Sequence, residues 1–328
     1  MWINDNKLDV EPDFEMDGKK FVHMKAAQSR LLRFMPYFEK AFPQTASRKG
    51  IIESELAEIN DLELKKEVKL NNDTNGCGKI FLKDDSTLQI TGNVKDRGCT
   101  HEIIKIAEEL ALKNKMIAPT DNHEIFNSNE FKEFFGHYVL LDNDYAAGNE
   151  TREAIAKSMG FKLSDCDEKN KLIRTQIPYD NEAIFFACAA AAFRLKVQLR
   201  KSGIEVDENN QLFVYLPIKS GLSAAGITFG LKQLFGNNVH CFYYRIINKV
   251  EADNNSINGF DGSKGLEGIK EEYLKLSSGI IEVEDKEKNV KVIINSIYDS
   301  DEGRGYVNRI YAEKKESNIN HIFWKMSK

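Results

Sequence analysis

One stretch constrains the fold of this chain more than any other. Gln211-Leu-Phe-Val-Tyr-Leu-Pro217 is an apolar run that reads as a buried strand. Lys219 to Gly226 (KSGLSAAG) reads as a small-residue loop, Ile227 to Phe235 as a helix, and Asn238 to Tyr244 (NVHCFYY) as the next strand. Strand, tight loop, helix and strand make a βαβ unit, which requires a parallel sheet and a right-handed crossover. In such sheets the loop at a strand's carboxyl end, opening a helix, is where phosphates bind. From pattern alone, a phosphate loop and an ordinary βα turn both remain open here.

The rest of the chain is long enough to surround such a unit. Its 328 residues allow one large domain or two, and an apolar share of 41% supplies a real core, which excludes bulk disorder. Lys and Arg total 46 against 51 Asp and Glu, a net charge of −5, so there is no global basic footprint for nucleic acid. The longest apolar run, Ala183 to Phe193, is too short to span a bilayer. The acidic N-terminus lacks a basic segment with an apolar stretch behind it. Five cysteines with no CxxC pair argue for a reducing compartment, so a cytoplasmic location is expected. The six histidines include no HxxH or HxxxH pair, and no metal site is legible.

Other elements follow from periodicity. His23 to Phe42 reads as one amphipathic helix stopped by Pro43, and Lys79–Leu82 as a strand followed by a turn at Asp84-Asp85-Ser86. Thr100 to Lys115 and the Ala- and Phe-rich Glu182 to Arg200 read as helices. Asn248 to Glu272 reads as a loop, and Val290–Ile297 and Ile319–Trp324 as late strands. The chemically interesting stretch is Thr91-Gly-Asn-Val-Lys-Asp-Arg-Gly98. It places Lys95 after a Gly turn and before the helix expected near Thr100. A lysine at the positive end of a helix dipole is disfavoured in its charged form, and a neutral lysine is what Schiff-base chemistry requires. Asp96 and Arg97 can pair with each other. A plain solvated lysine is the competing reading.

Long stretches of the chain resemble D-serine dehydratase, a pyridoxal-phosphate enzyme of the tryptophan-synthase-β fold type. They are Arg30 to Ile59, Gly78 to Phe135 through the lysine motif, and Leu212 to Phe242. The resemblance implies an α/β architecture of pyridoxal-phosphate fold type II. It implies a parallel-sheet large domain (residues 1–94 and 171–328) around a shortened small domain (residues 95–170). Lys95 matches the lysine that carries pyridoxal 5'-phosphate as a Schiff base. The implied activity is β-elimination of D-serine to pyruvate and ammonia, with Lys95 as proton shuttle. The implied partner is a small amino-acid substrate, with no nucleic acid and no membrane, and a monomer is favoured. Cys99 and Glu53 and Glu55 are expected to be structural, and His101 a surface or capping residue.

The chain departs from the family pattern at three places. The glycine-rich phosphate loop is matched by Gly221-Leu-Ser-Ala-Ala-Gly226, where Leu222, Ser223 and Ala225 stand at positions usually glycine. By resemblance, Gly221, Ser223, Ala224, Ala225 and Gly226 are the cofactor-binding residues of this loop. The Ser-x-Gly-Asn loop is matched either by Ala146-Ala-Gly-Asn149, with Asn149 toward the cofactor ring, or without a gap by Asp144 to Ala147, which shifts Gly148 and Asn149 out of place; the serine is absent in both. At the C-terminus Met326 occupies the place of a threonine that caps the pyridine nitrogen, and Ser327 beside it is the substitute. These departures keep a second reading open: a family member that retains the scaffold, has lost efficient chemistry and serves as a binding protein.

Overall fold

The computed structural model describes residues 1–60, 77–141, 149–164, 172–173, 182–218, 221–246, 274–283, 293, 300–302, 304–307 and 318–325. Its strands are β1 (Trp2–Ile3), β2 (Leu56–Glu58), β3 (Cys77–Asp84), β4 (Val139–Leu141), β5 (Lys162–Ser164), β6 (Leu172–Ile173), β7 (Asn210–Pro217), β8 (Val239–Ile246), β9 (Gly279–Val283) and β10 (Asn318–Lys325). Its α-helices are α1 (Phe21–Arg33), α2 (Met35–Ala41), α3 (Lys95–Lys113), α4 (Asn129–Phe135), α5 (Asn149–Met159), α6 (Glu182–Lys201) and α7 (Leu222–Phe235).

Seven strands form the main sheet in the order β1-β9-β8-β7-β10-β3-β2. The five inner strands pair in parallel, and only the edges β1 and β2 run antiparallel to their neighbours. The expected parallel sheet is therefore present. The apolar runs of β7 and β8 follow from burial on both faces, which removes the alternation of a half-solvated strand. Phe81, Val214, Tyr243 and Trp324 point to the core shared with α6 and α7. Their neighbours Phe213, Tyr215, Phe242 and Phe323 fill the opposite face with Tyr306 and Val307. There Tyr215 stacks on Phe323 with ring centroids 4.4 Å apart.

A second sheet, β5-β4-β6, is parallel throughout. Its core contains Ile103 and Ala107 of α3, Phe131 and Phe135 of α4, and Ile155 and Met159 of α5, together with Phe34 and Phe38 from the α1–α2 region.

The helix expected over His23 to Phe42 is two helices, broken at Phe34. Pro36 lies in the first turn of α2, and a residue without an N–H cannot continue the ladder of the preceding helix. The loop expected at Asn248 to Glu272 lies outside the described residues. So does the strand expected at Val290–Ile297, apart from the buried Ile293.

α6 is the spine of the large unit. Ala187, Ala189 and Ala192 are fully buried on it, and α7 crosses it closely. A Cβ on Gly230 of α7 would lie 2.1 Å from the Ala189 carbonyl oxygen, and one on Gly226 would lie 2.5 Å from the Phe185 carbonyl oxygen. Only glycine permits that approach. The alanines of α6 thus meet a neighbouring helix at close range.

Candidate active site

β7, β10 and β3 are adjacent and parallel, with Phe323 opposite Tyr215 and Lys325 opposite Asp84. Chain leaving β3 at Asp84, β7 at Pro217 and β10 at Lys325 therefore emerges on one edge of the sheet. After β3, the Asp84 side chain accepts from the Ser86 N–H at 3.0 Å and starts a 3-10 turn. The chain then enters α3 at Lys95. The helix begins five residues earlier than the sequence suggests, with Lys95 as its first residue and its N–H bonded to Asn93 Oδ1 at 3.1 Å. Lys95 is half-buried. Gly98 holds this start against α6, since a Cβ there would lie 2.6 Å from Ile184 Cγ2.

Asp96 and Arg97 do not serve as each other's partner in the hydrogen bonds seen here. Asp96 turns back to the loop before Lys95 and accepts the N–H groups of Ile90, Thr91 and Gly92 at 3.1, 2.9 and 3.3 Å. Arg97 turns inward. It bonds Asp85 through both terminal nitrogens, and NH2 reaches Glu53 Oε1 at 2.7 Å. Lys83 Nζ joins the same Glu53 oxygen at 2.5 Å and the Ser54 carbonyl at 2.7 Å. The Trp324 indole N–H donates to Asp85 Oδ2 at 2.8 Å. All of these side chains are buried. Burial alone would raise the Glu53 carboxyl, but Arg97 and then Lys83 hold it down at about 2. Burial lowers the Lys83 ammonium from its ordinary range, while it opposes the rise that Asp85 and Glu53 impose on Arg97. Two acids and two bases thus hold the root of α3 against β3 and β10. Glu53 is structural as expected, and Glu55 makes an exposed pair with Arg48 at 2.6 Å.

Cys99 is buried as expected, its thiol pushed up to about 12 by burial and then by Glu102. His101 is neither a surface nor a capping residue. It is 2% exposed, with Nδ1 2.8 Å from the Ala183 carbonyl and Nε2 3.1 Å from Arg30 NH1. The carbonyl can only accept and the guanidinium only donate, so Nδ1 carries the proton. Burial, then Arg30, lowers this imidazole to about 3.

After β7, Gly221 adopts φ +79° and ψ −31° and precedes α7. A left-handed residue is readily supplied by glycine. The helix begins at Leu222, so Ser223, Ala224, Ala225 and Gly226 are helical rather than loop residues. Ala225 N–H already bonds the Gly221 carbonyl at 2.8 Å. The N–H groups of Leu222, Ser223 and Ala224 precede the first intrahelical bond and form the positive end of a 14-residue helix. Such donors at the carboxyl edge of a parallel sheet fit an anionic group, and this end of the helix fits a phosphate. Asn149 is the first residue of α5. Residues 146–148, Lys219, Ser220, Met326 and Ser327 lie outside the described residues.

Sequence reasoning missed Lys83, Asp85, Trp324 and Thr151 as parts of the framework under Lys95. The legible signal was Lys83, a charge two residues after the core residue Phe81 and therefore on the same inward face of β3.

No family model matches the chain. The architecture is that of the fold type II pyridoxal-phosphate enzymes. The holo selenomethionine structure of Escherichia coli diaminopropionate ammonia lyase superposes with a TM-score of 0.55 at 13% identity, covering 98% of this chain and 92% of that one. The same enzyme in complex with D-serine gives 0.55 at 11% identity, covering 98% and 92%. In sequence, the chain is similar to the probable D-serine dehydratases. That of Geobacillus stearothermophilus is 37% identical over 257 residues, 67% of this chain and 56% of the relative. That of Bacillus mycoides (strain KBAB4) is 32% identical over 279 residues, 74% and 62%. The chain thus spans about six tenths of the length of these relatives. Among the described residues, no helix is long and apolar enough to cross a membrane.

Proposed function

We propose that the chain is a pyridoxal-5'-phosphate-dependent ammonia-lyase acting on D-serine or a related β-hydroxy amino acid, with Lys95 as the residue that anchors the cofactor. The observation that carries the reading is the placement of Lys95. It is the first residue of α3, on the sheet edge where α7 also begins, inside a sequence similar to the probable D-serine dehydratases.

In this reading the Leu222, Ser223 and Ala224 N–H groups, with Gly221 before them, hold the phosphate. Ala225 and Gly226 let α7 lie close on α6. Asn149 faces the cofactor ring and Ser327 its nitrogen, both by resemblance alone. Bound pyridoxal phosphate supplies an electron sink for charge at the substrate Cα. Lys95 Nζ removes the Cα proton, and its attachment to the first turn of α3 keeps it within reach of that carbon. The β-hydroxyl leaves as water, taking up the proton held on Lys95 Nζ, and hydrolysis of the released aminoacrylate by one water gives pyruvate and ammonia.

The test is a titration with pyridoxal phosphate followed by visible absorbance, with borohydride trapping and a Lys95→Ala control. A borohydride-fixed adduct on Lys95, and pyruvate release from D-serine, support the reading. No Lys95-dependent band at saturating cofactor refutes it. That second outcome favours a scaffold protein. One observation leans that way: Ala224 and Ala225 are buried in the core that α6 and α7 share, so small residues at the start of α7 serve that contact.

A further inference from the structure

We propose that Asp96 is a positioning residue that locks Lys95 to the start of α5. The inference rests on the role of Lys95 proposed above. Asp96 is fully buried, and each of its oxygens has a distinct task. Oδ2 gathers the N–H groups of Ile90, Thr91 and Gly92. Gly92 has φ +72°, so this is a tight turn closed on a carboxylate. Oδ1 accepts the Thr91 hydroxyl at 2.5 Å and the Thr151 hydroxyl at 2.8 Å. The two threonine oxygens lie 2.9 Å apart. Thr151 is buried in the first turn of α5, two residues after Asn149.

One side chain therefore ties three pieces of backbone: the turn that delivers Lys95, the first turn of α3, and the first turn of α5. A negative charge suits this place, because it sits in the first turn of α3 and faces only donors. An asparagine would present an NH2 group to at least one of those donors. The consequence is that the Lys95 amine and the α5 element are not free to adjust independently. The spacing between the cofactor-anchoring lysine and the segment after residues 146–149 is set by Asp96.

The test uses the full chain with Asp96→Asn, Thr151→Val and Thr151→Ser. Amide hydrogen exchange, measured without cofactor, reads the lock directly. Both Asp96→Asn and Thr151→Val are expected to speed exchange at residues 90–92 by about tenfold, although Thr151 donates to none of those amides, and Thr151→Ser is expected to match wild type. The pyridoxal phosphate concentration giving half of the Lys95-dependent band is expected to rise at least about tenfold in Asp96→Asn and to stay at the wild-type value in Thr151→Ser. Unchanged exchange at 90–92 in Thr151→Val overturns the lock. A lowered melting temperature with an unchanged cofactor midpoint makes Asp96 merely structural and also overturns it. If wild type shows no band, the lyase reading fails, and the exchange data alone decide whether the lock exists.

Discussion

Replacing Glu53 by Gln tests the charge cluster beneath Lys95. Glu53 is 6% exposed, and one of its oxygens serves both Lys83 Nζ and Arg97 NH2. A carboxyl held at about 2, from an ordinary value of 4.5, favours the ionised folded form by about 3 kcal/mol. Glutamine keeps the shape and removes the charge, leaving two buried bases facing Asp85. The expected loss is about 3 kcal/mol at pH 7, in the range found when one partner of a buried pair is removed. The sign with pH follows from the depressed carboxyl. The Glu53 contribution is complete above about pH 4.5 and disappears as pH falls through about 2. At pH 3 the gap between wild type and variant should therefore be under about half of its value at pH 7. Urea unfolding followed by circular dichroism measures it; urea is preferred because guanidinium salt screens the charges in question. A variant within about 0.5 kcal/mol of wild type at pH 7, or a gap of equal size at both pH values, refutes the ionised-carboxylate account.

Three further outcomes are expected. Gly230→Ala should destabilise by about 1–3 kcal/mol in the same urea assay, because its Cβ would meet the Ala189 carbonyl at 2.1 Å, whereas Gly305→Ala, with open space around it, should cost under about 1 kcal/mol. The His101 imidazole should show no titration between pH 5 and 8 by NMR; its folded value of about 3 lies below the ordinary 6.5, so its contribution to stability is present above pH 6.5 and is lost as pH falls toward 3. Cys99, Cys188 and Cys241 should resist iodoacetamide at pH 8 until the protein unfolds, as read by mass spectrometry, because burial raises all three thiols to about 11 or 12.

Legibility in the sequence followed the range of the interactions involved. The βαβ unit around α7 was readable because two uninterrupted apolar strands flank a Gly-containing turn, and each signal is local. The start of α7 was misplaced because Ser and Gly suggest a loop, while Leu222, Ala224 and Ala225 are good helix formers and a single left-handed residue, Gly221, suffices for the turn. The start of α3 lies five residues before the expected Thr100, and Gly98 within its first turn is required by the contact with Ile184, where a Cβ would lie 2.6 Å from Cγ2. The pairing of Asp96 with Arg97 was open in sequence and is disfavoured by geometry, since neighbours on a helix point about 100° apart. Their actual partners lie elsewhere: Asp85 is 12 residues and Glu53 44 residues from Arg97, and Thr151 is 55 residues from Asp96. Such partners are fixed by strand order, which composition and spacing do not encode. The same logic bears on the proposed site. The lysine could be read from its motif, whereas what holds the lysine in place became visible only when β3, α3 and α5 were brought together. A substitution at Asp96 or Glu53 is therefore expected to act at a distance from the chemistry, through the backbone that presents Lys95.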